Sequence, residues 1–451
     1  MKNFIETIKN IWKIEELKNR ILLTLGLLLI YRFGSHVTLP GIDANALAGL
    51  SNQTSKGIGS ILDMFTGGSF SKASIFALGI MPYISASIVV QLMGIAIPYL
   101  QKLQKDGESG RKKINQITRW LTIGITLLQG PGYIYNLYRT IPQALISNSH
   151  PEIVSQGAFL TLSVIILTTG TIFAMWLGEK ITDKGIGNGI SLLIMIGILA
   201  RLPQALIQEF NSRTVNANGG LMMIAIEIIV WLLIIIACVL LVAAVRKVPV
   251  QYARRSVAGE YEQDAVDGNR QWIPLKLNSA GVMPIIFAQA IMFIPTALAG
   301  LSKSDLSQSI ATTFSNMFGF WYNFVFALLI LIFSYFYTAI TVPTNKMADD
   351  LKRSGGFIPG IKPGQETGDY LDRIMSLITL PGALFLAFLA IFPAIVVKFN
   401  VQQSWAMFYG GTSLIIMVGV VIDTVQQINT YLLNKHYDGL MKSGRNRKAT
   451  A

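Results

Sequence analysis

The chain of 451 residues is 52% apolar and only 14% charged, with a formal net charge of +13. A soluble protein of this length needs far more charge to cover its surface. Apolar runs of roughly 20 residues, the length of a membrane-spanning helix, recur throughout the sequence. A polytopic membrane protein is therefore predicted. The single cysteine, Cys238, excludes a disulfide within the chain, and three scattered histidines argue against a clustered metal site.

The N-terminal residues 1–20 mix charged side chains with apolar ones at helical spacing, among them Phe4, Ile8 and Ile11. No small-residue cleavage site follows the first apolar run, so a cleavable signal peptide is not expected. The pattern is typical of an amphipathic helix that lies on the membrane surface.

Ten spanning helices are predicted along the chain. They cover residues 21–38, 75–97, 120–138, 158–178, 186–206, 221–245, 279–299, 319–343, 374–396 and 406–431. An even number places both termini on one side, where most of the 37 Lys and Arg residues fall, so that side is predicted to be cytoplasmic. This bias explains most of the net charge, and DNA or RNA binding is not needed to account for it.

The predicted spans divide into two halves, 21–206 and 220–431, joined by an external hinge at 207–219 and followed by a basic cytoplasmic tail at 432–451. Five spans per half is an odd number, so the second half starts on the opposite side of the membrane. The expected fold is therefore all-α, with two inverted five-helix halves. Such architecture places a substrate path where the halves meet.

One segment, residues 56–74, fits no span. It has a short apolar face followed by a glycine pair: Ile58, Ile61, Leu62, Phe65, Gly67 and Gly68. It is either a surface loop or a re-entrant segment, since backbone at membrane depth must be buried in protein or line water. The residue pattern alone favours the surface loop.

The second predicted span has polar residues on an apolar helical stripe, with Ile80 and Ile84 followed by Ser87 and Gln91. Pro82 in this span is expected to interrupt the helical hydrogen bonds. The serines alone are typical of close helix packing. Gln91 makes a water-facing or gating surface an equal alternative.

The seventh predicted span repeats this pattern with Asn278, Val282, Ile285 and Gln289 on one stripe, and Pro284 is expected to kink the helix. Two such helices can hydrogen-bond across a seam. Hydrogen bonds of this kind contribute only about 0.6 kcal/mol on average in membranes, which suits a seam that must open.

A glycine-rich turn, Gly185, Gly187 and Gly189, leads into the fifth predicted span. Backbone N–H groups at a helix N-terminus can cradle an anion. No lysine–serine pair of a phosphate-binding loop follows, so a tight turn into the membrane is the favoured interpretation.

Two predicted cytoplasmic loops, 246–277 and 344–373, are long and basic. Their cations include Arg246, Lys247, Arg254, Arg255, Lys352, Arg353 and Lys362. The positive-inside bias explains the number of charges. It does not explain the strand-like alternation at 248–252 or the Gly and Pro turns around Lys362, which suggest a docking surface for a large anionic partner.

Catalytic motifs and metal-ligand spacings are absent from the sequence, and no pair of aspartates lies at mid-membrane depth. The carboxylates nearest a span interior are Glu227 and Asp423. Ion-coupled transporters usually bury functional charges near the midplane. Neither an enzyme nor a cofactor is therefore expected.

Six blocks of the sequence resemble the signature blocks of the SecY family, the central subunit of the bacterial protein-conducting channel. In chain order they are FALGIMPYISASIVVQL, GESGRKKINQITR, WLGEKITDKGIGNGIS, LKLNSAGVMPIIFA, FIPGIKPGQET and YGGTSLIIMVGVVID. The resemblance implies an hourglass pore between two inverted halves, closed by a plug helix at 58–72. It thus replaces the surface-loop interpretation of that segment.

The resemblance also implies residue roles. The constriction ring would be formed by Ile80, Ile84, Ile190, Ile194, Ile286 and Ile416. The second and seventh spans would form a lateral gate, with Ser85, Ser87, Gln91 and Asn278 as its polar residues. Lys362 stands where the family usually has arginine, so it lacks the bidentate guanidinium fork.

The implied function is passage of unfolded preproteins across the bacterial plasma (inner) membrane, with sideways release of transmembrane segments. The implied partners are the small subunits SecE and SecG, the SecA motor, the ribosome, signal-sequence-bearing polypeptides and membrane lipid, and not DNA. A secondary transporter of a small solute is the alternative, although a ring of isoleucines offers it no polar substrate site.

Overall fold

The computed structural model describes residues 12, 14–43, 47, 63–145, 155–215, 220–252, 271–299, 313 and 316–448. The described chain is predominantly helical and has one small antiparallel sheet. It divides into two compact units: Met1–Ser212 with Val420–Ala451 (unit 1), and Arg213–Gly419 (unit 2). The predicted all-α polytopic fold is confirmed.

Unit 1 is built from helices and a short 3-10 turn. These are α1 (Glu15–Gly34), α2 (Met81–Ala96), α3 (Pro98–Lys105), α4 (Gly107–Thr140), the turn Pro142–Ala144, α5 (Gln156–Lys184) and α6 (Gly189–Val215, up to Ser212). Its core gathers side chains from the residues before α2 and from α4 and α5, including Leu39, Phe70, Ile134, Leu137 and Leu167.

Unit 2 contains the remaining elements. They are α7 (Gly220–Ala243), β1 (Val245–Tyr252), β2 (Gln271–Lys276), α8 (Met283–Ala299), α9 (Phe320–Thr341), α10 (Thr344–Arg353), β3 (Gly356–Phe357), α11 (Gln365–Val397), α12 (Gln403–Ala406) and the start of α13 (Gly411–Lys448). From Val420 onward α13 belongs to unit 1.

Six of the described helices are individually long and apolar enough to cross a membrane: α5, α6, α7, α9, α11 and α13. The pair α2 and α3 reaches that length only across a 103° bend. The other predicted spans correspond to α1, to part of α4 and to α8. They fall short because α1 carries charges in its first and last turns, α4 contains Pro131 and polar residues, and α8 has 17 residues.

Two predicted helix starts were wrong for the same physical reason. Residues 75–80 are turns, and α2 begins only at Met81 with Pro82 in its first turn. Likewise α8 begins at Met283, so Pro284 also lies in a first turn. Proline is tolerated there because the first N–H groups of a helix have no intrahelical acceptor. Neither proline therefore interrupts or kinks its helix, and Asn278 lies in the preceding turn rather than on the helical stripe.

The predicted hinge at 207–219 is partly helical, since α6 continues to Val215. The buried Arg213, which is 3% exposed, has an ionic partner in Glu227 at 2.7 Å, so the polar end of α6 is held inside unit 2. The division between the units, at Ser212 and Arg213, falls within the predicted hinge. The assignment of the two units to inverted halves stays a prediction.

The small sheet in unit 2 has the order β2-β1-β3, with both pairings antiparallel. Val245 pairs with Lys276 at one end of β1, and Tyr252 pairs with Gly356 at the other. Alternate residues of β1, Val248 and Val250, are buried, as the period of a strand requires. The strand-like alternation predicted at 248–252 is thus confirmed.

Candidate functional site

The segment between residue 63 and α2 is buried in unit 1, although it forms no spanning helix. Residues 63–65 are helical and the chain then follows turns to Ile80. Phe65 is 8% exposed, and Ser69 and Ala73 are fully buried. This burial contradicts a solvent-exposed surface loop. Ile58, Ile61 and Leu62 lie outside the described residues.

A glycine contact brings this segment against α6. Gly67 has a φ of +65°, and a Cβ added there would lie 2.7 Å from the Cα of Gly197. A Cβ added at Gly197 would lie 2.8 Å from the carbonyl oxygen of Phe65. Both glycines are therefore needed for backbone to pack on backbone, and the positive φ at Gly67 adds a second requirement for glycine.

A polar cluster, the latch, fastens the same segment to α1 and α6; it consists of Arg32, Asp63, Ser71 and Arg201. Asp63 forms an ion pair with Arg201 and accepts a hydrogen bond from the Ser71 N–H at 2.8 Å. Arg201 also donates to Ser71 Oγ at 2.9 Å, and Arg32 donates to the carbonyl oxygen of Gly67 at 2.7 Å. These bonds join residues 35 and 130 positions apart in the chain.

Sequence reasoning missed the latch, yet one signal pointed to it. Asp63 is the only carboxylate between Asp43 and Asp106, and it lies in an otherwise apolar and small-residue stretch. Arg32 and Arg201 lie near the ends of predicted spans away from the termini. A buried charge requires a partner, so a search for one would have joined these residues.

Helix α2 carries four predicted site residues, and a fifth, Ile80, lies at its N-terminal cap. Ile80 is 4% exposed at its N-terminal cap and accepts the N–H of Ile84, which is half-buried. One helical turn apart on the same face, Gln91 Nε2 donates to Ser87 Oγ at 3.3 Å. Ser85 is half-buried on the same helix. The polar side chains predicted for a gate therefore form a local pair that leaves Gln91 Oε1 available to accept another hydrogen bond.

The glycine-rich turn before α6 is held by side chains. Three of its backbone N–H groups donate hydrogen bonds to side-chain oxygens. These bonds run from Ile186 to Thr24 Oγ1 (3.1 Å), from Gly187 to Gln427 Oε1 (2.8 Å) and from Gly189 to Thr182 Oγ1 (2.9 Å). Gly187 has a φ of +81°, which favours glycine. These groups have protein acceptors, so the tight-turn interpretation is supported over an anion cradle. The turn places Ile190, half-buried, and Ile194, 6% exposed, in the first turns of α6.

Unit 2 carries the other predicted ring and gate residues. Ile286 is half-buried in α8, and Ile416 is 2% exposed in α13. Asn278 is half-buried in the turn before α8. Gln289 Oε1 is buried with no hydrogen-bond partner among the described residues. A buried acceptor without a hydrogen bond lowers the stability of the folded state unless another group donates to it.

The predicted docking residues that the structure describes lie on β1, at the end of α10 and on the turn before α11, all in unit 2. Those described, Arg246, Lys247, Lys352, Arg353 and Lys362, are all exposed; Arg254 and Arg255 lie outside the described residues. Beneath them a core joins the sheet, α10 and α11: Val248, Val250, Leu275, Leu351, Ile358, Leu371 and Met375. The cations therefore project from a folded platform.

Lys362 stands at a turn whose backbone is fixed. Its carbonyl oxygen accepts from Thr367 Oγ1 at 2.8 Å, and Gly360 and Gly364 have φ values of +85° and +112°. Its ammonium lies 3.7 Å from Glu366, but both side chains are largely exposed, at 85% and 59%. Such an exposed pair is weak, which leaves the Lys362 charge available to a partner.

Glu227, the carboxylate that a transporter reading would single out, is paired. Arg213 Nη2 donates to Glu227 Oε1 at 2.7 Å, and the two side chains are 3% and 6% exposed. A buried ion pair of this kind is structural in character. Among the residues that the structure describes, no cluster of three or more His, Cys, Asp or Glu side chains could hold a metal ion.

The chain is similar to proteins of known family over most of its length. The SecY family model matches residues 74–425. The Protein translocase subunit SecY of Aquifex aeolicus is 38% identical over 440 residues, which cover 97% of this chain and 99% of that protein. Its counterpart in Staphylococcus carnosus is 39% identical over 442 residues, covering 96% and 99%.

Solved structures share the fold at low sequence identity. A protein conducting channel matches with a TM-score of 0.56 and 16% identity over 91% of each chain. A second structure, a SecY protein whose plug domain stabilises the closed channel, matches with a TM-score of 0.59 and 17% identity over 91% of each chain. The family model and the full-length relatives together show that this chain belongs to the SecY family.

Proposed function

We propose that the chain is the protein-conducting subunit of a bacterial translocase, which passes unfolded preproteins across the plasma membrane. The observation that carries the proposal is the burial of residues 63–80 by the latch, in a chain 38% identical over 440 residues to a protein translocase subunit. A short re-entrant segment held by a few polar bonds suits a plug that must move aside. A secondary transporter finds no support in the comparisons, and the paired Glu227 offers it no free carboxylate.

The proposed constriction is the ring of six isoleucines. Four of them belong to unit 1 and two to unit 2: Ile80, Ile84, Ile190, Ile194, Ile286 and Ile416. An apolar constriction dewets when empty and resists ions through the cost of dehydrating them. Aliphatic side chains without directional bonds also accept a passing polypeptide of any sequence.

The proposed lateral gate uses polar side chains of α2 and of the residues that lead into α8. Its polar residues are Ser85, Ser87, Gln91 and Asn278, and the buried Gln289 Oε1 adds an acceptor that would need a partner there. Polar bonds between membrane helices are weak on average, at about 0.6 kcal/mol. A hydrophobic signal sequence or transmembrane segment is thus able to replace them and leave sideways into lipid.

The energy for transport is proposed to come from partners, because the sequence has no nucleotide-binding motif. The basic platform of unit 2 would receive the SecA motor or the ribosome, and small subunits of the SecE and SecG type would complete the channel. The channel of a canine ribosome-channel complex shares the fold, with a TM-score of 0.54 and 15% identity. The positive-inside bias supports a cytoplasmic location for both termini.

A transport assay tests the proposal. Vesicles containing this chain, its small subunits and the motor ATPase would be given a radiolabelled preprotein and ATP, and protease-protected preprotein would be measured. We expect protection that requires both this chain and ATP. Vesicles that protect no preprotein, but take up a small solute against its gradient, would instead support the transporter.

A further inference from the structure

A recess of about 240 Å³ in unit 1 lies between the plug segment and two helices. Gly67, Gly68, Ser71 and Lys72 form one wall, and α1 and α6 provide the other through Arg32 and Arg201. A water molecule occupies roughly 30 Å³ in the liquid, so the recess has room for a polyatomic ion. The recess is therefore lined both by the buried segment and by the two helices to which the latch fastens it.

The lining of the recess is cationic. Arg32, Lys72 and Arg201 contribute three positive charges, and no carboxylate is among its described lining residues. Asp63 pairs with Arg201, which leaves the latch and the recess together with a cationic excess.

The cations around the recess retain unused donors. Asp63 and Ser71 both contact the Nη2 atom of Arg201, and a guanidinium has five N–H donors. Lys72 Nζ lies 3.0 Å from His36 Nδ1, a neutral acceptor at most. Burial, and then the charge of Arg32, lower the pKa of Lys72. A bound anion would relieve this repulsion.

We propose that this recess binds a phosphate-type oxyanion, either free phosphate or the phosphate of a lipid headgroup. Arginine matches two phosphate oxygens at once and lysine adds a point charge, so the set Arg32, Lys72 and Arg201 fits an oxyanion with several acceptor oxygens. If the plug function proposed above holds, the ion stabilises the closed channel, because a ligand that binds only the seated segment favours that state by mass action.

The test uses the complete channel complex in lipid-free detergent and inorganic phosphate as the probe. Binding is measured by calorimetry, with chloride at matched ionic strength as the reference. Lys72→Gln should weaken phosphate binding roughly tenfold, the effect of losing a charged hydrogen bond, and Lys72→Arg should restore it. Lys398→Gln removes another exposed lysine, at the end of α11, and should leave binding unchanged.

A second arm separates the two phosphate sources. The same variants are placed in nanodiscs of phosphatidylglycerol or of phosphatidylcholine, and the thermal unfolding midpoint is measured. A Lys72-dependent response to inorganic phosphate supports a free ion, and one confined to phosphatidylglycerol supports a headgroup. No Lys72 dependence in either arm, or an equal loss with Lys398→Gln, overturns the site. Phosphate binding by a complex that moves no preprotein would refute only the proposed function.

Discussion

Arg201 connects two parts of unit 1 that the sequence keeps far apart. It reaches Asp63 and Ser71 from α6 with its own side chain 23% exposed, while Asp63 is 10% exposed. Exposed ion pairs contribute little, but hydrogen bonds to charged groups inside a protein contribute about 1.5–3 kcal/mol each. The latch therefore fastens the buried segment through a few bonds of this size.

Replacing Arg201 with glutamine should make the channel leak. Loss of about 1.5–3 kcal/mol from the seated state raises the displaced population roughly ten- to a hundredfold, since 1.4 kcal/mol is a factor of ten. Single-channel conductance in planar bilayers measures this directly. Lys112→Gln, which breaks an exposed ion pair with Glu108, is the matched control and should leave the conductance unchanged. Tight closure of the Arg201→Gln channel would show that the latch does not hold the plug.

Gly67 allows a prediction with an internal control. Gly67→Ala and Gly220→Ala both place a side chain at a positive φ, +65° and +61°, which costs about 1–2 kcal/mol in each. Only at Gly67 would the new Cβ meet backbone, because Gly220 has open space around it. Gly67→Ala should therefore raise resting conductance, whereas Gly220→Ala should lower only the unfolding temperature. Equal conductance in the two variants would count against the glycine contact.

Elements were more predictable from the sequence than their starts and contacts. The long apolar runs indicated the helices correctly, since twenty apolar residues have few alternatives to a membrane helix. The starts of α2 and α8 were misplaced because Pro82 and Pro284 were interpreted as interruptions. Contacts such as Arg32 with Gly67 join distant residues and leave no periodic signal. Which candidate site residues meet in a pore therefore stays a prediction.

The basic platform of unit 2 should bind its partner electrostatically. Lys247→Glu and Lys362→Glu reverse exposed charges on β1 and on the turn before α11. Partner affinity should fall, and the deficit should shrink as salt rises, because exposed charges are screened beyond about 10 Å at 0.1 M. Fluorescence titration of labelled motor or ribosome at two salt concentrations measures this, with Lys398→Glu as the control. If neither charge reversal changes partner affinity, the positive-inside bias alone would account for these positive charges.

The buried ion pair between Arg213 in α6 and Glu227 in α7 is expected to affect the stability of the fold. Glu227→Gln removes the carboxylate that lies 2.7 Å from Arg213 Nη2, and the loss of one partner of a buried pair costs about 3–5 kcal/mol. The unfolding midpoint in detergent should fall, and the double variant Arg213→Met with Glu227→Leu should recover much of it. Folded Glu227→Gln channels should still move preprotein. A stable variant that had lost only transport would instead indicate a coupling carboxylate.

In the complete molecule, the proposed function requires that Ile84 and Ile286 face the polypeptide in transit. Both side chains are half-buried. Leu128, by contrast, is 81% exposed in α4. A comparison of these three positions therefore tests the proposed pore lining against an exposed surface position.

The most direct measurement is crosslinking of an arrested preprotein to photoreactive side chains placed singly at Ile84, Ile286 and Leu128. If Ile84 and Ile286 line the path, both give crosslinks that appear only while the preprotein is arrested in transit, and Leu128 gives none. Efficient arrest without a crosslink at either isoleucine, or with crosslinks equal to those at Leu128, would contradict a pore through this ring.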